Sequence, residues 1–208
     1  MKSKDWLAFG ALSLAWGSSF FWIKIALQEI GPFQLVAWRV FFGIVGLLAV
    51  VVIRRPEWPK GRKTWAALVL LGVTNTAAPF VLISWAEQYI DSAVASILNG
   101  SMPLFTMLIA HVLLSDDRMT RRRVVGLLVG FLGVVTLVWR DHAAGLSFNL
   151  FAQGAMILAV LFYAGSSVFA RSYTKGISPI VVALTPLFPA DLIIWSLAFQ
   201  LESPLILP

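Results

Sequence analysis

The sequence predicts an all-α polytopic membrane protein, and three observations carry that prediction. Hydrophobic residues make up 59% of the 208 and charged residues only 12%, for a mean hydropathy of +0.86. No water-soluble core of this size needs so much apolar content. The apolar residues fall in runs long enough for a helix to cross the hydrocarbon layer, which takes roughly 20 residues. Period-two alternation is absent, which argues against a transmembrane barrel, and the connecting segments are too brief to hold a soluble domain.

Seven spans follow in order: Trp6 to Leu27, Gln34 to Ile53, Thr64 to Trp85, Ser92 to Leu114, Val124 to Trp139, Leu150 to Ala170 and Ile177 to Phe199. The start, Met1-Lys2-Ser3-Lys4-Asp5, looks like a secretory leader. The apolar run behind it is too long and lacks a clear small-residue cleavage site, so it reads as a retained first span. The fourth span carries a polar notch, Asn99-Gly100-Ser101-Met102-Pro103, and in lipid each unpaired polar group costs several kcal/mol. Such a notch is kept only if it packs against other helices or lines a wet cavity. The segment Ser115 to Arg123 is too polar to enter lipid. The fifth span is short, with Gly126, Gly130 and Gly133 spaced for close helix packing. The seventh is broken by Pro186 and Pro189.

Thirteen of the sixteen lysines and arginines fall on one side of these spans: Lys2 and Lys4, then Arg54 to Lys63, Arg118 to Arg123, and Arg171 with Lys175. Cytoplasmic loops hold the excess of such residues, so the N-terminus is placed in the cytoplasm and the residues after span seven outside. The same grouping explains the net charge of +6 by topology, and no nucleic-acid partner is expected; the bilayer and a small-molecule substrate are. Trp6, Trp65, Trp85 and Trp139 mark span ends as an interfacial belt would. Cysteine is absent, which removes disulfides, thiolate nucleophiles and Cys-ligated metals. A His-Glu-x-x-His pair, paired aspartates within spans and a deep histidine are also missing, so neither a metal site nor an enzyme is expected.

Compared with itself at an offset of 147 residues, the chain shows an echo. Trp16 falls on Tyr163, Ser19 on Ser166, Lys24 on Arg171, Ile30 on Ile177 and Pro32 on Pro179. A repeat of five spans, an odd number, requires the second copy to enter the membrane inverted, which is a transporter signature. Residues 1–140 then form a first repeat of five helices and residues 150–208 two helices of a second. The expected architecture is an inverted five-helix repeat with seven of ten transmembrane helices present.

Trp16-Gly17-Ser18-Ser19-Phe20 with Lys24 and Pro32, then Arg39 in span two, resembles the opening of EamA-type transporters of the drug/metabolite transporter superfamily. Pro103-Leu104-Phe105-Thr106, Asp117-Arg118 and the stretch from Gly126 through Gly133-Val134-Val135 are similar to the end of that family's first repeat. Asp117 departs from the family's usual glutamate. The resemblance implies a ten-helix inverted-repeat carrier in a bacterial cytoplasmic membrane with both termini inside. It would move small organic metabolites such as amino acids or amines, often outward, by alternating access, with no cofactor.

The residues offer a candidate substrate site. Trp16 and Ser19 lie one turn apart and share a face of span one; the pair either holds a solute or packs between helices, with Ser19 bonding its own backbone. Tyr163 and Ser166 repeat the arrangement on span six. Asn99 and Pro103 are one turn apart, where the missing Pro103 N–H frees a carbonyl; with Ser101 they form either a packed kink or a broken helix facing substrate. Asn75, between Thr74 and Thr76 in span three, needs partners from substrate, water or a neighbouring helix. Arg39 reads as an anchor for an anionic group or as a partner of Glu87 or Asp91 in a loop, and Lys24 as a side chain snorkelling to headgroups. Asp191, the one carboxylate placed well inside a span, reads as a proton relay or as part of the first turn of a restarted helix. His111 and His142 read as incidental. A seven-helix receptor or sensor, a transporter fragment without function and a homodimeric assembly remain open alternatives.

Overall fold

The computed structural model describes residues 3–114, 120–143 and 149–202. Asp117, Arg118 and the end of the chain at Pro208 lie outside the described residues, as do the side chains of Lys4, Trp139, Arg140 and His142. Every regular element described is helical: α1 (Ser3–Ala26), α2 (Pro32–Arg54), α3 (Arg62–Gly72), a π-helical turn (Val73–Ala77), α4 (Ala78–Glu87), α5 (Ser92–Gly100), α6 (Met102–Leu113), α7 (Arg121–Ala143), α8 (Leu150–Tyr173), α9 (Pro179–Leu184) and α10 (Leu187–Leu201). This is a polytopic all-α membrane protein. Among the described residues, six continuous or broken helices are long and apolar enough to cross a bilayer. The seventh long helix, α7, opens on Arg121, Arg122 and Arg123.

Helices dominate because a backbone in lipid must satisfy its own hydrogen bonds, and the interruptions occur where side chains prevent this. Proline has no N–H to give the carbonyl four residues back. Pro79 cannot bond the carbonyl of Asn75, and the third span widens there into the π turn, with Ala78 N–H reaching Val73. Pro103 likewise follows the break at Ser101 between α5 and α6, and Pro186 sits between α9 and α10. Two of these breaks meet. A Cβ on Gly72, at the end of α3, would collide with the Pro186 carbonyl and the Pro189 ring, so only glycine lets these backbones approach so closely.

The bundle centres on α4 and α8, which pack against each other; α8 also packs on α6 and α5, and α2 packs on α10 and α4. One apolar cluster joins Phe20, Ile83, Ala86, Leu98, Met156 and Tyr163 from α1, α4, α5 and α8. A second joins Ile23, Val36, Val40, Ala77, Leu184 and Ile194 across α1, α2, the π turn, α9 and α10. The α2 and α10 contact is fixed at one end by charge. Glu202 accepts hydrogen bonds from the Phe33 and Gln34 amides at 3.0 and 2.8 Å, and its carbonyl takes the Gln34 side-chain amide at 2.7 Å. A carboxylate is thus set on the exposed amides of an N-terminus from 168 residues away. Shifted by 147 residues, the limits of α1 fall on those of α8, and the limits of α2 on the start of α9 and the end of α10.

Candidate functional site

The polar groups of the bundle gather where the C-terminal end of α1 meets α2 and α4. Ser19 and Arg39 line a cavity of about 270 Å³ together with Ala15, Trp22, Ile23 and Leu35. The Arg39 guanidinium stands 4.6 Å from the centre of the Phe80 ring, a cation–π contact that strengthens out of water. Tyr163 meets the same ring edge-on from α8, with centroids 6.4 Å apart. Arg39 is within electrostatic reach of Tyr163 and Glu87, and Glu87 of Lys24.

Lys24 does not snorkel to headgroups. Its ammonium donates to the backbone carbonyls of Glu87 at 2.5 Å and Ile90 at 2.9 Å. The last carbonyls of a helix lack intrahelical partners and sit at the negative end of its dipole, so a lysine from a neighbouring helix can fill that role. Lys24 ties the end of α1 to the corner between α4 and α5. Glu87 is not a loop residue either. It is the last residue of α4 and wholly buried, and neither carboxylate oxygen has a hydrogen-bond partner among the described residues. It therefore joins the half-buried Asp191 as an acid within a span, and is the more buried of the two. The chain carries a partial signal for it: Lys24 and Glu87 stand at the C-terminal ends of the first and third spans, which cross in the same direction.

The remaining candidates are distributed around this centre. Ser166 is buried and donates to Thr74 at 2.8 Å, while Thr74 bonds back to Leu70 at 3.0 Å. Both hydroxyls border a second, apolar cavity of about 380 Å³ with Leu158, Phe162 and Phe169. Asn75, in the π turn, is exposed, and so are Trp16, at 52%, and Pro103. Pro103 borders a separate cavity of about 420 Å³ with Thr106, Met107 and Arg123. Ser101 is buried and bonds back to Leu98 at 2.6 Å. The side-chain oxygen of Asn99 is buried without a partner. Asp191 falls beyond the first turn of α10, which holds no acid, so the expectation that it caps a restarted helix is corrected. One of its carboxylate oxygens is buried and unpartnered. Ser19, Arg39 and Tyr163 thus converge on one place, Ser166 lies beside another, and Trp16, Asn75 and Pro103 stand apart from both.

A multi-helix membrane fold with broken helices and a cavity holding an arginine and a serine between its spans defines a class: transporters of small solutes. The chain belongs to the EamA-like transporter family, whose model matches residues 4–139. It is 26% identical over 196 residues to an uncharacterized transporter of Archaeoglobus fulgidus, covering 89% of this chain and 67% of that protein. It is 26% identical over 168 residues to the uncharacterized inner membrane transporter YedA of Escherichia coli, covering 80% of this chain and 53% of that protein. The chain therefore spans about half to two thirds of the length of the curated relatives it matches. A crystal structure 20% identical in sequence superposes with a TM-score of 0.64 over 94% of this chain and 70% of the other, a likeness of fold alone.

Proposed function

We propose that this transporter carries small organic metabolites, amino acids, amines or related compounds, outward across the cytoplasmic membrane by alternating access. The solute sits in the cavity between α1 and α2, where Arg39 meets its anionic end, Ser19 offers a hydroxyl, and Ala15, Trp22, Ile23 and Leu35 form the apolar wall, while Phe80, met edge-on by Tyr163, holds the guanidinium. The observation that carries this reading is Arg39: a guanidinium within the membrane span, bordering a cavity, held by an aromatic ring. A charge at that depth is costly, and such groups mark solute pathways.

The reading takes residues 1–140 and 150–208 as a first repeat and part of an inverted second one, with the N-terminus cytoplasmic. The shared helix limits at an offset of 147 and the distribution of lysine and arginine support it. Ser166, bonded to Thr74 of the first repeat, is then the counterpart of Ser19 in the other half, while Asn99 and Asp191 supply further polar groups to the pathway. The test is counterflow of labelled amino acids and amines in liposomes holding the purified protein. Saturable exchange, weakened at least tenfold in Arg39→Ala, is expected; no flux across the whole panel would remove the reading.

A further inference from the structure

The most unusual group in the molecule has no part in the solute site just described. Glu87 has no exposed surface, and both its carboxylate oxygens lack a donor among the described residues. An ionised carboxylate out of water needs donors or a paired charge. Two cations stand nearby, and both are engaged elsewhere: Lys24 from α1 on the Glu87 and Ile90 carbonyls, Arg39 from α2 on the Phe80 ring. From α8 the titratable side chain on this side of the bundle is Tyr163, which interacts with Arg39. The π turn and α5, which also pack against α4, contain no titratable residue.

We propose that Glu87 is a proton-binding site whose occupancy decides what Lys24 holds. With the carboxyl protonated, as the absence of donors requires, Lys24 stays on the backbone carbonyls and latches α1 to the corner of α4 and α5. When the proton leaves to water, the ammonium moves from the carbonyl of Glu87 to the carboxylate of the same residue. This swing on a flexible stem gives up the hydrogen bond to Ile90 and frees the corner. The latched end of α1 carries part of the wall of the Ser19 and Arg39 cavity, since Ile23, next to Lys24 in the chain, lines it. Proton release is thereby coupled to movement of the cavity wall. The inference rests on the carrier reading for its use in transport, but not for the existence of the proton site.

Infrared difference spectroscopy of the full chain in lipid tests the site without any flux. At neutral pH the wild type should show a protonated-carboxyl band, with a component that Glu87→Gln removes and Asp191→Asn leaves. No such band in the wild type, or a band unchanged in Glu87→Gln, would overturn the proposal. Should Glu87→Gln not fold, Glu87→Asp must shift the band's frequency, and an unshifted band counts against it. In liposomes, accumulation driven by a pH gradient should fall to the level without a gradient in Glu87→Gln. If the wild type exchanges solute at equal pH and Glu87→Gln still accumulates it under a gradient as fully as the wild type, the coupling is wrong while the carrier reading stands. If the band behaves as stated and no solute moves, the carrier reading fails and the proton site stands.

Discussion

Helices α1 and α8 share their limits at an offset of 147 residues, and the two could hardly be placed more differently. Half of the α8 span is buried, against 11% of α1. Tyr163 and Ser166 of α8 are buried, whereas Trp16, the counterpart of Tyr163, is 52% exposed and Ser19 is half-buried. The cause lies in the small residues. Ala152, Ala159 and Ala164 of α8 have no exposed surface and let α4, α5 and α6 come close, the way helices associate in lipid. The glycines of α1, Gly10 and Gly17, face open space, and α1 is held instead at its C-terminal end, by Phe20, Ile23 and the Lys24 latch. Equal sequence registers thus make one helix a fixed frame and the other a wall fastened at one end, an arrangement suited to a carrier in which one side of the cavity moves.

The largest expected effect concerns the frame. Gly72→Val should cost about 3 kcal/mol or more, because the added atoms meet backbone and a proline ring that cannot give way; loss of the cooperative thermal transition in detergent would show it. Tyr163→Ala should cost about 3 kcal/mol and Trp16→Ala no more than about 0.5 kcal/mol, measured as the difference in unfolding midpoint. Equal costs would break the contrast between α8 and α1. Glu202→Ala should cost about 2 kcal/mol, since it strips two amides of α2 of a charged acceptor, and Glu202→Gln less. The smallest effect is expected for Ser166→Ala, about 0.6 kcal/mol for one interhelical hydroxyl bond, with Ser19→Ala nearer zero in stability but weaker in solute exchange.

Much of this was legible in the chain. The apolar runs placed the long helices to within a few residues, and Pro103 and Pro186 marked real breaks, because the missing N–H is a local fact. The π turn is not legible in the sequence, where Thr74-Asn75-Thr76 reads only as a polar cluster needing partners, because its cause, Pro79, acts four residues upstream. Pairings across the bundle were not legible. The cap that Glu202 places on α2, the approach of Gly72 to Pro186 and the bond of Lys24 to the end of α4 join residues between 63 and 169 positions apart, and no periodicity carries such information. Arg39 and Ser19 were found as polar residues in an apolar run. Glu87 reads in the sequence as a loop residue because Trp85 marks a span border, whereas α4 continues two residues past it. Trp16 reads as a site residue because it shares a face of span one with Ser19, a pattern that does not report the 52% exposure of its side chain.

Occupation of the space between α1 and α2 by a solute is directly measurable, because the sequence contains no native cysteine. In Ser19→Cys protein reconstituted in liposomes, the rate of labelling by a water-soluble maleimide should fall at least threefold when a transported amino acid or amine saturates the site, and a cysteine at Trp6 should label at an unchanged rate. Labelling of Ser19→Cys that no solute of the panel slows, in protein that still exchanges that solute, would contradict it.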